Sequence, residues 1–199
     1  MQRVNIDSRE DWLNAAVLAL RPIFEAAGYP LADKIRASCG WPGGGSRHKR
    51  IGECWAQQCS GDGSFEMFIS PVLADRERVL DVLVHELCHV AVGIAEGHRA
   101  KFAKCARALH LKGPWRSTSA GEGFAQAVAV PVFAFVGAAY PHAAMAAGSA
   151  NTGPKKQGTR MRKCECSDCG YTCRTTAKWL ESHGAPICPC NQEPMEVKP

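Results

Sequence analysis

The chain has 199 residues, 46% of them hydrophobic, enough for one ordinary core with a small appendage and too little for several large domains. Its net charge of +5 at pH 7 is a mild bias toward anionic partners and does not by itself define a nucleic-acid-binding protein. The opening residues MQRVNIDSREDW lack the apolar stretch of an export signal, and the most hydrophobic segment, 124–140, is shorter than a membrane span and contains Pro131, so a cytoplasmic protein without a membrane anchor is expected.

Taken in chain order, Ser8 and Asp11 have the spacing of a capping box, and Trp12, Ala16, Leu20, Ile23 and Phe24 then recur at helical intervals up to Gly28. The stretch IRASCGWPGGGSRHKRIGECW is turn-rich in its middle with a short strand expected on either side, and SFEMFIS alternates as a strand that Pro71 closes. Helices are predicted over about 75–93, 98–110 and 120–140, the last broken or kinked at Pro131. The sequence therefore predicts an α+β domain over 1–147, helices with a small β-sheet. Residues 148–163 read as a basic, flexible linker, and 164–199 as a separate small module.

The predicted second helix contains VLVHELCHVAVG, that is, His-Glu-x-x-His. Positions i and i+4 share a helix face, so His85 and His89 can present their imidazoles to one metal ion. Glu86, one position along, is placed to take a proton from an attacking water. Val82, Leu83, Val84, Leu87, Val90 and Val92 would bury the helix, and Cys88 points away from the histidine face as a small core residue. A catalytic zinc normally takes three protein ligands. The candidates for the third are His98, Glu96, His110 and Glu122. The Gly97 turn could swing His98 back over the helix, whereas His110 would lie roughly 18 Å beyond it along a helix beginning at 98. The metzincin pattern does not apply, since its glycine and third histidine positions hold Val92 and Ala95. Tyr140, His142 and His110 are all conceivable oxyanion donors, and no spacing argument chooses among them.

Six of the 11 cysteines fall between 164 and 190. Cys166 and Cys169 form a Cys-x-x-Cys turn followed by Gly170, and Cys188 and Cys190 a tighter pair, the arrangement of a four-cysteine structural zinc site. A disulfide-linked tail is the alternative, and Cys164 and Cys173 are surplus to the four. Residues 151–199 carry eight Lys or Arg against five Asp or Glu. Arg160, Arg162, Lys163, Arg174 and Lys178, with Tyr171 and Trp179, are candidates for contacting single-stranded DNA or another single-stranded nucleic acid; a solvated basic surface explains them equally well.

Several of these stretches, in order, resemble the SprT-like zinc metallopeptidases, the family that includes the protease domain of Spartan. IGECW (51–55) is similar to the opening strand of that domain, FEMFISPVLADRERVLDVLVHELCHVAVG to its next strand and active-site helix, and GHRAKFAKCARAL to its Gly-His-x-x-x-Phe segment. The tail ECSDCGYTCRTTAKWLESHGAPICPC resembles the zinc ribbon that follows some SprT-like domains, most of all in bacteriophage and prophage proteins. The resemblance covers about residues 10–110 and 162–195; residues 111–150 are read from composition alone. It implies a zincin-like fold, one catalytic zinc on His85, His89 and His98, Glu86 as general base, one structural zinc in the ribbon, and a protein substrate in a bacterial or phage-infected cell. The partner-binding and damage-recruitment extensions of Spartan have no counterpart here, so action on DNA-associated proteins is an expectation drawn from relatives. Two other functions remain open: a nucleic-acid-binding zinc protein whose histidine site is structural or weakly active, and hydrolysis of a non-protein amide.

Overall fold

The first helix starts at a reciprocal cap. In the computed structural model, which describes residues 5–43, 50–137, 139–146 and 161–198, Ser8 Oγ accepts the Asp11 amide at 3.1 Å and Asp11 Oδ2 accepts the Ser8 amide at 2.9 Å, opening α1 (Arg9–Ala26). Its apolar stripe Trp12, Leu13, Leu20 and Phe24 is fully buried. The chain divides into two compact units, Met1–Ser149 and Ala150–Pro199. The first is α+β: helices beside small sheets. Of the expected linker, residues 148–160 lie outside the described residues, while Arg162 and Lys163 belong to a strand of the second unit.

Three strands, β1 (Ile35–Cys39), β2 (Gly52–Trp55) and β3 (Phe65–Ile69), form a sheet ordered β1-β3-β2. The central β3 runs parallel to β1 and antiparallel to β2, with Gly52 opposite Ile69 and Cys54 opposite Met67. Met67 and Ile69 face the core with no exposed surface. Next comes α2 (Arg76–Val92), capped by Asp75 Oδ1 on the Arg78 amide at 2.8 Å and ended at Gly93. Leu80, Leu83 and Leu87 are fully buried along it, each contributing ~1.5–3 kcal/mol relative to exposure, so the helix is held chiefly by packing.

The helix expected over 98–110 is shorter, α3 (Ala100–Ala108). His110 adopts a left-handed φ of 58° and turns the chain into a hairpin of two-residue strands, β4 (Leu111–Lys112) and β5 (Ser119–Ala120), which the sequence does not announce. The helical region expected over 120–140 occupies less of the chain: a π-helical turn Ala125–Ala129 runs into α4 (Val130–Val136). Pro131 has no amide to donate, and the widened turn before it accommodates the missing bond, so the chain continues as one run instead of breaking. Trp12 meets this region edge-on through Tyr140, at 5.1 Å between centroids. Among the described residues no helix is long and apolar enough to cross a membrane.

The second unit is a three-stranded antiparallel sheet ordered β7-β6-β8, built from β6 (Arg162–Glu165), β7 (Thr172–Thr175) and β8 (Glu196–Lys198), with α5 (Ala177–His183) between β7 and β8 in the chain. Its buried cluster is Cys164, Cys166, Cys188 and Met195, flanked by Cys173 and Leu180. Apolar burial on that scale does not hold 50 residues together.

Candidate metal centres

The period of α2 places His85 and His89 one turn apart on one face. His98 reaches them because the chain reverses around the short turn Ile94–Glu96, between Gly93 at φ 90° and Gly97 at φ 57°, conformations that side chains with a Cβ rarely adopt. His98 Nε2 lies 3.2 Å from His85 Nε2 and 3.2 Å from His89 Nε2. Phe102 of α3 sits against all three rings, at 4.9, 4.5 and 4.9 Å from His85, His89 and His98. Burial, followed by the mutual repulsion of the rings, depresses His85 to about 3 and His89 to about 4, and burial followed by Arg116 lowers His98. Three imidazoles held neutral by burial therefore converge through their Nε2 atoms, a group that could hold a metal ion. The other candidates for third ligand are not part of it. Glu96 Oε1 accepts the Lys101 amide at 3.3 Å, His110 Nδ1 lies 3.2 Å from the Glu122 carbonyl, and Glu122 does not line the cleft.

A residue that no sequence pattern singles out fixes His85. Thr118, just before β5 and only 5% exposed, places Oγ1 2.8 Å from His85 Nδ1. If this nitrogen carries the proton, the lone pair of His85 is on Nε2, facing the other two rings. Thr118 is held in turn by α2: its carbonyl accepts Arg78 Nη1 at 3.2 Å, and the same nitrogen pairs with Asp81 at 2.8 Å. Asp81 also accepts the Ala120 amide at 3.3 Å, fastening the hairpin to the helix. His89 Nδ1 has no such partner among the described residues.

Glu86 lies beside this group, 6% exposed, its carboxyl pushed up to about 8 by burial and secondarily by Glu53. Gly52 of β2 makes room for it: a Cβ there would run into Glu86 Oε1 and lie 2.7 Å from Val82 Cγ1. Together these residues floor a cleft of about 600 Å³ between β2 and the 116–118 segment, with Arg50, Glu53 and Arg116 on its walls. None of the three conceivable oxyanion donors lines it. Tyr140 packs on Trp12, His142 bridges Arg9 at 3.1 Å and the Pro71 carbonyl at 2.6 Å, and His110 is at the hairpin.

The second group is Cys166, Cys169, Cys188 and Cys190, which could also hold a metal ion. Sulfur separations of 3.6 Å (Cys166–Cys190), 3.6 Å (Cys169–Cys188) and 3.4 Å (Cys188–Cys190) exceed a disulfide bond, and the cysteines are free. Two backbone turns of one design present them. The Cys166 amide donates to Tyr171 O and the Gly170 amide to Cys166 O; at the same offsets, the Cys188 amide donates to Glu193 O and the Gln192 amide to Cys188 O. Gly170 and Gln192 take positive φ at equivalent places, 72° and 62°. The second turn carries its other cysteine one position early, and Asn191 Nδ2 donates to Asp168 Oδ2 of the first turn at 2.7 Å, tying the two turns together. Cys164 and Cys173, opposite each other on β6 and β7, are core residues instead, Cys173 lying 3.9 Å from Met195 Sδ.

The basic candidates separate. Lys163 stands opposite both Arg174 and Lys198, giving a cationic row across one face of the sheet, although Lys163 pairs with Glu165 at 2.8 Å and Lys198 with Glu196 at 2.6 Å. Arg162 has the opposite strand parity and so belongs to the other face. Lys178 stacks over the exposed Trp179 at 5.7 Å on α5, Tyr171 is exposed, and Arg160 lies outside the described residues. Comparison with protein-family models, curated proteins and solved structures gives no match for the chain.

Proposed function

We propose that the protein is a zinc-dependent metalloendopeptidase with a zincin-like catalytic unit and a zinc-ribbon second unit, consistent with the resemblance of its sequence to SprT-like peptidases. One observation carries this reading: a buried carboxylate, Glu86, stands next to three convergent imidazole nitrogens in an open cleft. Zinc fits both groups. Tetrahedral zinc with nitrogens at ~2.0–2.1 Å or sulfurs at ~2.3 Å separates its ligand atoms by roughly 3.3 and 3.8 Å, against the 3.2 Å and 3.4–3.6 Å found here. His85, His89 and His98 would hold the catalytic ion, and Cys166, Cys169, Cys188 and Cys190 a structural one. An ion held there would supply Lewis acidity toward a substrate carbonyl.

The residues of the chain do the rest. Glu86, held as a carboxylate by the charge of an ion bound beside it, would take the proton of the attacking water as the water oxygen bonds to the carbonyl carbon, then deliver that proton to the amine as the C–N bond breaks. Among the described residues strand β2 pairs only with β3, so its other edge, along the cleft, offers backbone donors and acceptors to an extended peptide. That edge favours a peptide over a small amide. The direct test incubates zinc-loaded wild type and Glu86→Gln with an unfolded protein and with a DNA-binding protein, with and without single-stranded DNA. Cleavage by wild type alone, at equal zinc content, is expected; equal cleavage by the variant rejects the mechanism.

A second reading has its own support. The Arg174–Lys163–Lys198 row and exposed Tyr171 suit a single-stranded nucleic acid, which would bring DNA-associated proteins to the cleft. Acceleration of cleavage by single-stranded DNA, lost in Arg174→Ser, is its expected signature.

A further inference from the structure

We propose that a groove beside the metal cleft is a subsite for an acidic segment of the polypeptide substrate; this rests on the peptidase reading above. The groove, about 410 Å³, is lined by Arg99, Lys104 and Arg107 with Trp115, and His98 lines both it and the cleft. Arg116, on the cleft wall, follows Trp115 directly, so a chain lying across His98 passes from one cavity to the other between cationic side chains.

The charge pattern is one-sided. Between Glu96 and Glu122 the sequence holds six Lys or Arg and no Asp or Glu. Elsewhere in the same unit Arg36, Arg50 and Arg78 each hold a carboxylate. By contrast, Arg99, Lys104, Arg107 and Arg116 are exposed and form no ion pair with a described residue. The Arg99 side chain donates to the Ala95 carbonyl, at 3.3 Å, and Arg107 stacks on Trp115 at 4.5 Å. Isolated surface cations need no partner, but three around one groove, with Arg116 on the adjoining cleft that shares His98, form a field that selects an anion. Guanidinium groups grip carboxylates in a bidentate fork.

Acidic peptide fits better than nucleic acid for a geometric reason. Non-specific binding of single strands relies on aromatic faces free to stack on bases, and Trp115, the aromatic of this groove, already has Arg107 over its ring. The groove also leads to a site whose chemistry acts on carbonyl carbon, so the chain occupying both is a polypeptide.

The test measures binding apart from turnover. Zinc-loaded Glu86→Gln protein is titrated into a fluorescein-labelled peptide carrying Asp and Glu on one side of its centre, and into its Asn/Gln counterpart. The acidic peptide should bind about tenfold tighter, with a gap that shrinks as salt rises. In otherwise wild-type protein, Lys104→Ser/Arg107→Ser should abolish the preference by raising KM for the acidic peptide while leaving kcat on the neutral one unchanged. Because Arg107 packs on Trp115, Lys104→Ser alone serves if the double variant folds poorly. Equal binding of the two peptides, or a gap that survives both variants, overturns the proposal. A single-stranded oligonucleotide that displaces the acidic peptide and loses affinity in the same variants overturns it in favour of nucleic acid. Charge-dependent peptide binding without any cleavage by wild type keeps the subsite and rejects the peptidase.

Discussion

Glu86→Gln should stabilise the chelated protein above neutral pH. In the folded chain the carboxyl sits at about 8 against 4.5 for the free group, with burial the larger cause and Glu53 the smaller. Below 4.5 the group is protonated whether the chain is folded or not. Between 4.5 and 8 the native state keeps a proton that the unfolded chain has released, so stability falls as pH rises. A shift of that size is worth ~5 kcal/mol at full burial; because the carboxyl borders an open cleft, ~2–3 kcal/mol is expected. His85 and His89, lowered to about 3 and 4, act in the opposite sense: their contribution is complete above 6.5 and is lost as pH falls toward those values. Wild type should therefore lose stability on both sides of neutrality, and the variant on the acid side only. Urea unfolding of chelated wild type and Glu86→Gln between pH 5 and 8.5 reads this out, with the fully buried Trp12 as a fluorescent reporter. Any cost of burying the amide is independent of pH, so the slope decides. Parallel alkaline slopes would refute the reasoning.

Thr118→Val should weaken metal binding at the histidine site ~10–100-fold, because His85 Nδ1 loses its partner, while Thr118→Ser should restore most of it. Competition with a chromogenic chelator measures both. Gly52→Ala should displace the Glu86 carboxylate, cutting turnover about a hundredfold for ~1–3 kcal/mol of stability, with zinc content at the histidines unchanged; wild-type activity in this variant would show that β2 does not confine Glu86. In the second unit, chelation or Cys169→Ser should unfold residues 161–198 while the helical signal of the first unit persists, seen as loss of NMR dispersion confined to that segment.

The parts of the histidine site visible in the sequence are those governed by local periodicity. His85, Glu86 and His89 follow from the pitch of a buried helix, and Gly97 marks the turn that returns His98. Thr118 carries no such mark. It lies in a segment without a periodic pattern, and its hairpin of two-residue strands is fixed by Arg78 and Asp81, some forty positions earlier. Gly52 likewise reads as one of 19 glycines until β2 is laid against α2. In the tail the cysteine spacing marks both turns, but not that Cys164 and Cys173 serve the core, which depends on strand register. The basic residues were legible as composition and misleading as a patch, because strand parity sends Arg162 and Lys163 to opposite faces.

The two cysteine turns and the three histidines solve one problem by opposite means. His85 and His89 stand on a helix whose fully buried leucines hold it in place without any ion, and the Gly97 turn returns His98 to them, so the group is preorganised and its burial keeps the imidazoles neutral. The cysteines stand in a unit whose buried cluster is mostly sulfur, joined across the site by Asn191 and Asp168, so there a bound metal ion would supply much of the folding energy. It follows that graded removal of metal should separate the two roles. The first unit would lose chemistry while keeping its shape, and the second would lose shape. On the proposed peptidase reading, a cleft that stays formed without a metal ion could also reload, as a catalytic position open to solvent would require.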